Sequence, residues 1–151
     1  MRAGGIDTRH DRDSLTLSVV LPCPREDAWA LITNEEEIAR WWGDYVTLDA
    51  RPGGRFEERW QDGRHEVVAR GQVIGFEPSR LLRFTWADEG WPGVTEVELR
   101  LDEAPGGCRL TLTQEGWNAF PRAQARRLID RHSAGWRSHL EALARVAAEG
   151  R

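Results

Sequence analysis

Few residues in this chain combine a reactive type with a telling position. Glu58 stands between Phe56 and Trp60 in an alternating stretch, on the side where those aromatics face inward. A carboxylate there must be paired, protonated or turned outward by a twist, because burying an unpaired charge is costly. It has two natural uses: pairing with an arginine such as Arg70, or orienting a polar group of a ligand. His132 precedes Trp136 by four residues, so in a helix the imidazole shares the apolar stripe and is either a packed core residue or an acid or base. Glu58 and His132 together form the one acid/base pair on offer, of the kind that serves cyclase, dehydratase or hydrolase chemistry. Spacing reveals no Ser or Cys set with His and an acid, and no phosphate-cradling loop; Gly53-Gly54 and Gly106-Gly107 read as turn glycines. Cys23, Cys108, His65 and His139 lack the spacing of a metal site or a redox pair. Neither a metal nor a cofactor is expected.

Aromatic residues supply a second kind of chemistry. The chain has 8 Trp, each a large apolar surface whose ring N–H asks for a partner when buried. Trp60, Trp86 and Trp136 share the inward parity of their elements with Phe56, Phe84 and Val97. These six either line a pocket or fill the core. Trp41 and Trp42 end a short helical stretch, where one is expected as a core anchor and the other at the mouth of a cavity.

The elements that must hold these residues follow from periodicity. Leu128, His132, Trp136, Leu140, Leu143 and Ala147 recur at steps of three and four, predicting a helix over Phe120–Glu149. Roughly thirty residues at 1.5 Å each give about 45 Å, enough to cross a small sheet. Asn118 is the expected cap, Pro121 suits the first turn and Gly150 the stop. Upstream, Ser14–Val20 alternates as a first strand. Two short helices follow, Arg25–Thr33 and a second started by Asn34. Six further strands are expected at 45–49, 55–60, 65–76, 81–86, 94–101 and 108–114, with Asp62-Gly63 marking a hairpin. The strict alternation of Val97, Leu99 and Leu101 against Glu96, Glu98 and Arg100 belongs to an antiparallel sheet wet on one face.

Length and charge set the bounds. A chain of 151 residues suits one domain at 14–149 behind a polar, flexible lead-in at 1–13 that includes Arg2 and Arg12. A net charge of −4 argues against nucleic acid as partner. No apolar run reaches the length of a membrane span, and the first residues lack a signal peptide's apolar core. With only two cysteines, a cytoplasmic location is expected.

Pro24-Arg25-Glu26-Asp27-Ala28-Trp29, Trp41-Trp42-Gly43, Gly53-Gly54-Arg55-Phe56, Gly71-Gln72-Val73 and Pro78-Ser79-Arg80-Leu81 occur in an order and spacing that resemble a known family. Phe84-Thr85-Trp86, the strand ending in Glu115-Gly116-Trp117, and Gly135-Trp136 before Leu140 and Leu143 extend the likeness over roughly Leu15 to Ala148. The family is that of proteins similar to the activator of heat-shock protein 90 ATPase, within the START-like or SRPBCC superfamily. Asp44 and Cys108 depart from residues common there. The resemblance implies an α+β helix-grip fold: a seven-stranded curved antiparallel sheet wrapped around a long C-terminal helix, with two short helices after the first strand. It also implies a small-molecule binder with an internal cavity. Trp41, Trp42, Phe56, Glu58, Trp60, Phe84, Trp86, Val97, His132 and Trp136 are the expected ligand-binding residues, for an apolar or amphipathic molecule, in a monomer or homodimer. Two alternatives remain open: a co-chaperone-like, stress-response module docking a protein through an exposed patch at Trp41, Trp42 and Trp91, and a cavity enzyme using Glu58 and His132.

Overall fold

In a computed structural model, residues 5–11 and 13–149 are described; Arg2, Arg12 and Gly150 lie outside them. After strands β1 (Asp7–His10) and β2 (Ser14–Leu21) come helices α1 (Arg25–Thr33) and α2 (Glu35–Trp41). Six strands follow: β3 (Val46–Leu48), β4 (Arg55–Asp62), β5 (His65–Glu77), β6 (Leu81–Asp88), β7 (Thr95–Ala104) and β8 (Gly107–Glu115). A short 3-10 turn (Trp117–Ala119) leads into helix α3 (Arg122–Glu149). All strands join one antiparallel sheet in the order β1-β2-β8-β7-β6-β5-β4-β3.

The sheet therefore has eight strands, not seven. The additional one, β1, falls in the segment expected as a lead-in. Its residues Asp7, Thr8, Arg9 and His10 show no apolar alternation, since an edge strand that is largely exposed needs none. Backbone pairing with β2 holds it, and so do two bonds to α3: Arg137 donates to Thr8 Oγ1, and His10 Nε2 lies 2.9 Å from Ser133 Oγ.

Alternation governs the remainder. Leu15, Leu17, Val19 and Leu21 of β2 are buried, as are Val97, Leu99 and Leu101 of β7 and Cys108, Leu110 and Leu112 of β8. Their outward neighbours form cross-strand ion pairs, with Arg83 bonded to Glu96, Glu98 and Glu115. Asn34 does start α2, its Oδ1 accepting Glu36 N–H at 2.9 Å. Asn118 does not cap α3. It sits in the 3-10 turn, and the Pro121 carbonyl accepts the first helical bond, from Ala125 N–H at 2.8 Å.

A straight helix cannot follow a curved sheet along its whole length. The curvature is built at β5, whose pairing with β6 shifts between Val73 and Gly75. Nearby, Gln72 N–H turns to Thr85 Oγ1 at 2.9 Å. A Cβ at Gly71 would stand 1.6 Å from the Thr85 carbonyl oxygen, so only glycine admits this approach. Helix α3 packs on β2 and α2 and stands further from β4, β5 and β6.

What fixes α3 to the sheet is Gln114 of β8, fully buried. Its Oε1 accepts Trp136 Nε1–H at 2.9 Å, and its Nε2 donates to Thr95 Oγ1 at 2.9 Å. Thr95 in turn donates to the Trp86 carbonyl at 2.8 Å. The indole can only donate, so the amide orientation is forced. Gln114→Leu leaves the Trp136 N–H buried without an acceptor and is expected to lower unfolding stability by about 2–3 kcal/mol, measured by urea denaturation.

Candidate functional site

Between β4–β6 and α3 lies a cavity of about 470 Å³. The sheet contributes Glu58 and Trp60 from β4, Val67 from β5, and Trp86 and Asp88 from β6. Tyr45 and Trp91 close it from the loops. Leu128, Arg131, His132, Gly135, Trp136 and His139 present one side of α3. Ala125, Ile129, Ser133 and Trp136 form the helix's buried stripe toward the core, so Leu128 and His132, one position away, are left half-buried at the cavity wall. Two hollows of about 640 and 650 Å³ lie nearer the β1 end, bounded mainly by exposed polar residues. They lack the buried acid and stacked indoles of the cavity beneath α3.

The ten expected ligand-binding residues divide in two. Glu58, Trp60, Trp86, His132 and Trp136 line the cavity. Trp41, Trp42, Phe56, Phe84 and Val97 are core residues behind it. Trp42 does not stand at a mouth: it is 3% exposed, stacked on Trp86 with centroids 6.1 Å apart and edge-on to Trp136 at 5.0 Å. Trp41 is anchored by its N–H on the Leu31 carbonyl at 2.8 Å. With both indoles buried and Trp91 only partly exposed, the surface patch expected for protein docking does not form.

Glu58 is 6% exposed and faces inward. It does not pair with Arg70, which bonds Glu57 and Glu89 on the outer face. Its Oε2 instead accepts Trp42 Nε1–H at 2.8 Å. Burial pushes the Glu58 pKa up to about 7, against the Trp42 hydrogen bond and with help from the negative charge of Asp88. Burial also raises the Asp88 carboxyl, which accepts Trp86 Nε1–H at 3.1 Å, while Arg131 pulls it back. His132 packs against Trp86, Trp91 and Trp117, and burial, aided by Arg131, lowers it to about 4. His139 is lowered too, by burial that outweighs its bond to the Trp41 backbone. Near neutrality both imidazoles are uncharged, and Glu58 is poised between its two forms.

Spacing along the chain does not mark Asp88, Tyr45 or Gly135, which fold topology brings to the cavity. It also hides a serine, a histidine and an acid in sequence: Ser133 Oγ beside His10 Nε2, with Asp130 Oδ1 3.7 Å from His10 Nδ1. Ser133 lies in the interior of α3, where neighbouring N–H groups serve the helix and no oxyanion can be bound, so the trio ties β1 to α3. Among the described residues, no three or more His, Cys, Asp or Glu side chains stand together to ligate a metal, and no helix is long and apolar enough to cross a membrane.

Residues 22–148 match the family described as activator of Hsp90 ATPase homolog 1-like protein. The chain belongs to that family. No curated protein matches it. Among solved structures it is similar to protein Ms6760 from Mycobacterium smegmatis, with TM-score 0.79 and 18% identity over 97% of this chain and 100% of that one. A protein from Rhodobacter sphaeroides gives TM-score 0.77 and 19% identity over 96% and 99%. DynU16, from the dynemicin biosynthetic locus, gives 0.75 and 23% over 93% of this chain and 49% of that one. At these identities the likeness establishes the fold: an α+β arrangement of open antiparallel sheet and long C-terminal helix.

The Glu58 proton has a consequence for stability. The folded state holds it up to about 7 while the ordinary value is 4.5, so Glu58 favours folding at low pH, and that contribution is lost as pH rises from about 4.5 through about 7. Glu58→Gln keeps an acceptor for Trp42 and removes the titration. Relative to wild type, the variant is expected to gain on the order of 1–3 kcal/mol between about pH 5 and about pH 8; denaturant melts at both pH values measure the difference.

Proposed function

We propose that the cavity binds a small apolar or amphipathic molecule between β4–β6 and α3. The observation that carries this reading is Gly135. Glycine inside a helix costs about 1 kcal/mol relative to alanine. Gly135 is exposed on the cavity side of α3, and among the described residues nothing beyond its chain neighbours and the helix's own backbone lies within 4 Å of where its Cβ would be, so packing does not require it. A guest lying against the helix backbone does require that space. The volume falls in the usual range for small-molecule sites, and the wall combines the large apolar surface of Trp60, Trp86, Trp91 and Trp136 with the polar groups of Glu58, Asp88, Arg131 and the two imidazoles, a mixture suited to an amphipathic guest. A biosynthetic locus as the setting of DynU16 agrees with small-molecule handling in this fold.

A second reading follows from the placement of Glu58, a buried carboxyl whose pKa burial pushes up to about 7, in a cavity that His132 also lines. A carboxyl so placed is suited to general acid/base catalysis. In that case Glu58→Gln abolishes turnover of a bound substrate without abolishing its binding.

Intrinsic Trp fluorescence, titrated with a panel of lipids and aromatic metabolites, tests the binding role. At least one member is expected to quench or shift the emission saturably. Gly135→Leu is expected to weaken that ligand at least about ten-fold by filling the cavity, with a melting temperature equal to or above wild type. Unchanged affinity in a folded Gly135→Leu protein would place the ligand elsewhere.

A further inference from the structure

We infer that the cavity selects a molecule whose polar end is a protonated amine, its ammonium lying beside Glu58 and Asp88 and its hydrocarbon against Trp60, Trp86 and Trp136. This rests on the cavity being a binding site and adds the charge of its guest.

The charge balance of the lining supports it. Two acids, Glu58 and Asp88, face one fixed cation, Arg131, so with both acids ionised one negative charge is in excess. Neither acid has a basic hydrogen-bond partner among the described residues; each bonds an indole, Trp42 for Glu58 and Trp86 for Asp88. Indole N–H groups orient a carboxylate without neutralising it. Arg131 is exposed on α3, whereas Glu58 is buried. The other titratable groups facing the site are Tyr45 and the imidazoles of His132 and His139, all uncharged near neutrality.

Each class of guest meets this field differently. A carboxylate would add a third negative charge beside the two acids. A neutral alcohol can donate one O–H bond to Glu58 but leaves its charge uncompensated. An ammonium offers three donors, compensates the excess charge and lies among indole faces, which attract cations. The preference therefore grows as Glu58 ionises.

Calorimetric titration of the intact protein with 4-phenylbutylamine, 4-phenylbutanol and 4-phenylbutyrate separates charge from hydrocarbon. At about pH 8.5 the aliphatic amine is still protonated, and it is expected to bind at least about ten-fold tighter than the alcohol, with the carboxylate weakest. At about pH 5.5 the ratio of amine to alcohol affinity is expected to fall several-fold, as protonation removes the Glu58 charge. Glu58→Gln, which retains the Trp42 bond, is expected to bring the ratio near one at both pH values. Equal binding of amine and alcohol to wild type at the higher pH, or a ratio untouched by Glu58→Gln, would overturn the amine preference and leave the binding site standing. If none of the three binds, the binding-site reading falls with it.

Discussion

A buried amide on the last strand sets how the long helix meets the sheet. Gln114 is enclosed on all sides and must satisfy both of its ends, so its carbonyl oxygen holds the Trp136 indole while its NH2 reaches Thr95. Thr95 passes the constraint to the Trp86 carbonyl on the next strand, and the Gln114 backbone carbonyl accepts the Trp117 N–H at 3.1 Å. Helix, three successive strands and the approach to the helix are thereby held at one point. Away from it, at β4–β6, the helix stands further from the sheet, and the cavity lies in the space between them.

The same requirement, that a buried indole N–H find an acceptor, accounts for the polar groups in an apolar place. Trp42 is packed among Phe56, Phe84, Trp86 and Trp136, and Glu58 accepts its N–H. Asp88 does the same for Trp86. Each carboxyl thus has a structural reason to stand at the cavity, and each is left without a basic partner once there. The walls and the electrostatics of the site come from one set of contacts.

Much of this was legible in sequence because it depends on period. The alternation of β7 and β8, the Asn34 cap and the stripe of α3 are local patterns, and the resemblance carried by Trp41-Trp42-Gly43 and Gly135-Trp136 led to the family. The features that were not legible depend on contacts between distant elements. Strand β1 pairs through its backbone and needs no apolar rhythm. Glu58 shows inward parity, but the sequence cannot show that Trp42, in a different element, takes the place expected for Arg70. Trp42 ends a helix and looks like a rim residue until β4, β6 and α3 close around it. Gly135 resembles any glycine in a helix until the space beside it is known.

Strand β1 has a role beyond adding an eighth member to the sheet. Without it, the apolar strand β2, eight residues long, would present its outer row of amide and carbonyl groups to solvent. Four polar residues cover half of that length and are tied to the helix by Thr8 and His10. At the opposite margin β3 has only three residues, with the Arg59 N–H to Tyr45 carbonyl bond continuing its cover of β4. Both rims of the sheet are therefore short, polar or irregular, which denies an incoming chain the template for strand-to-strand aggregation.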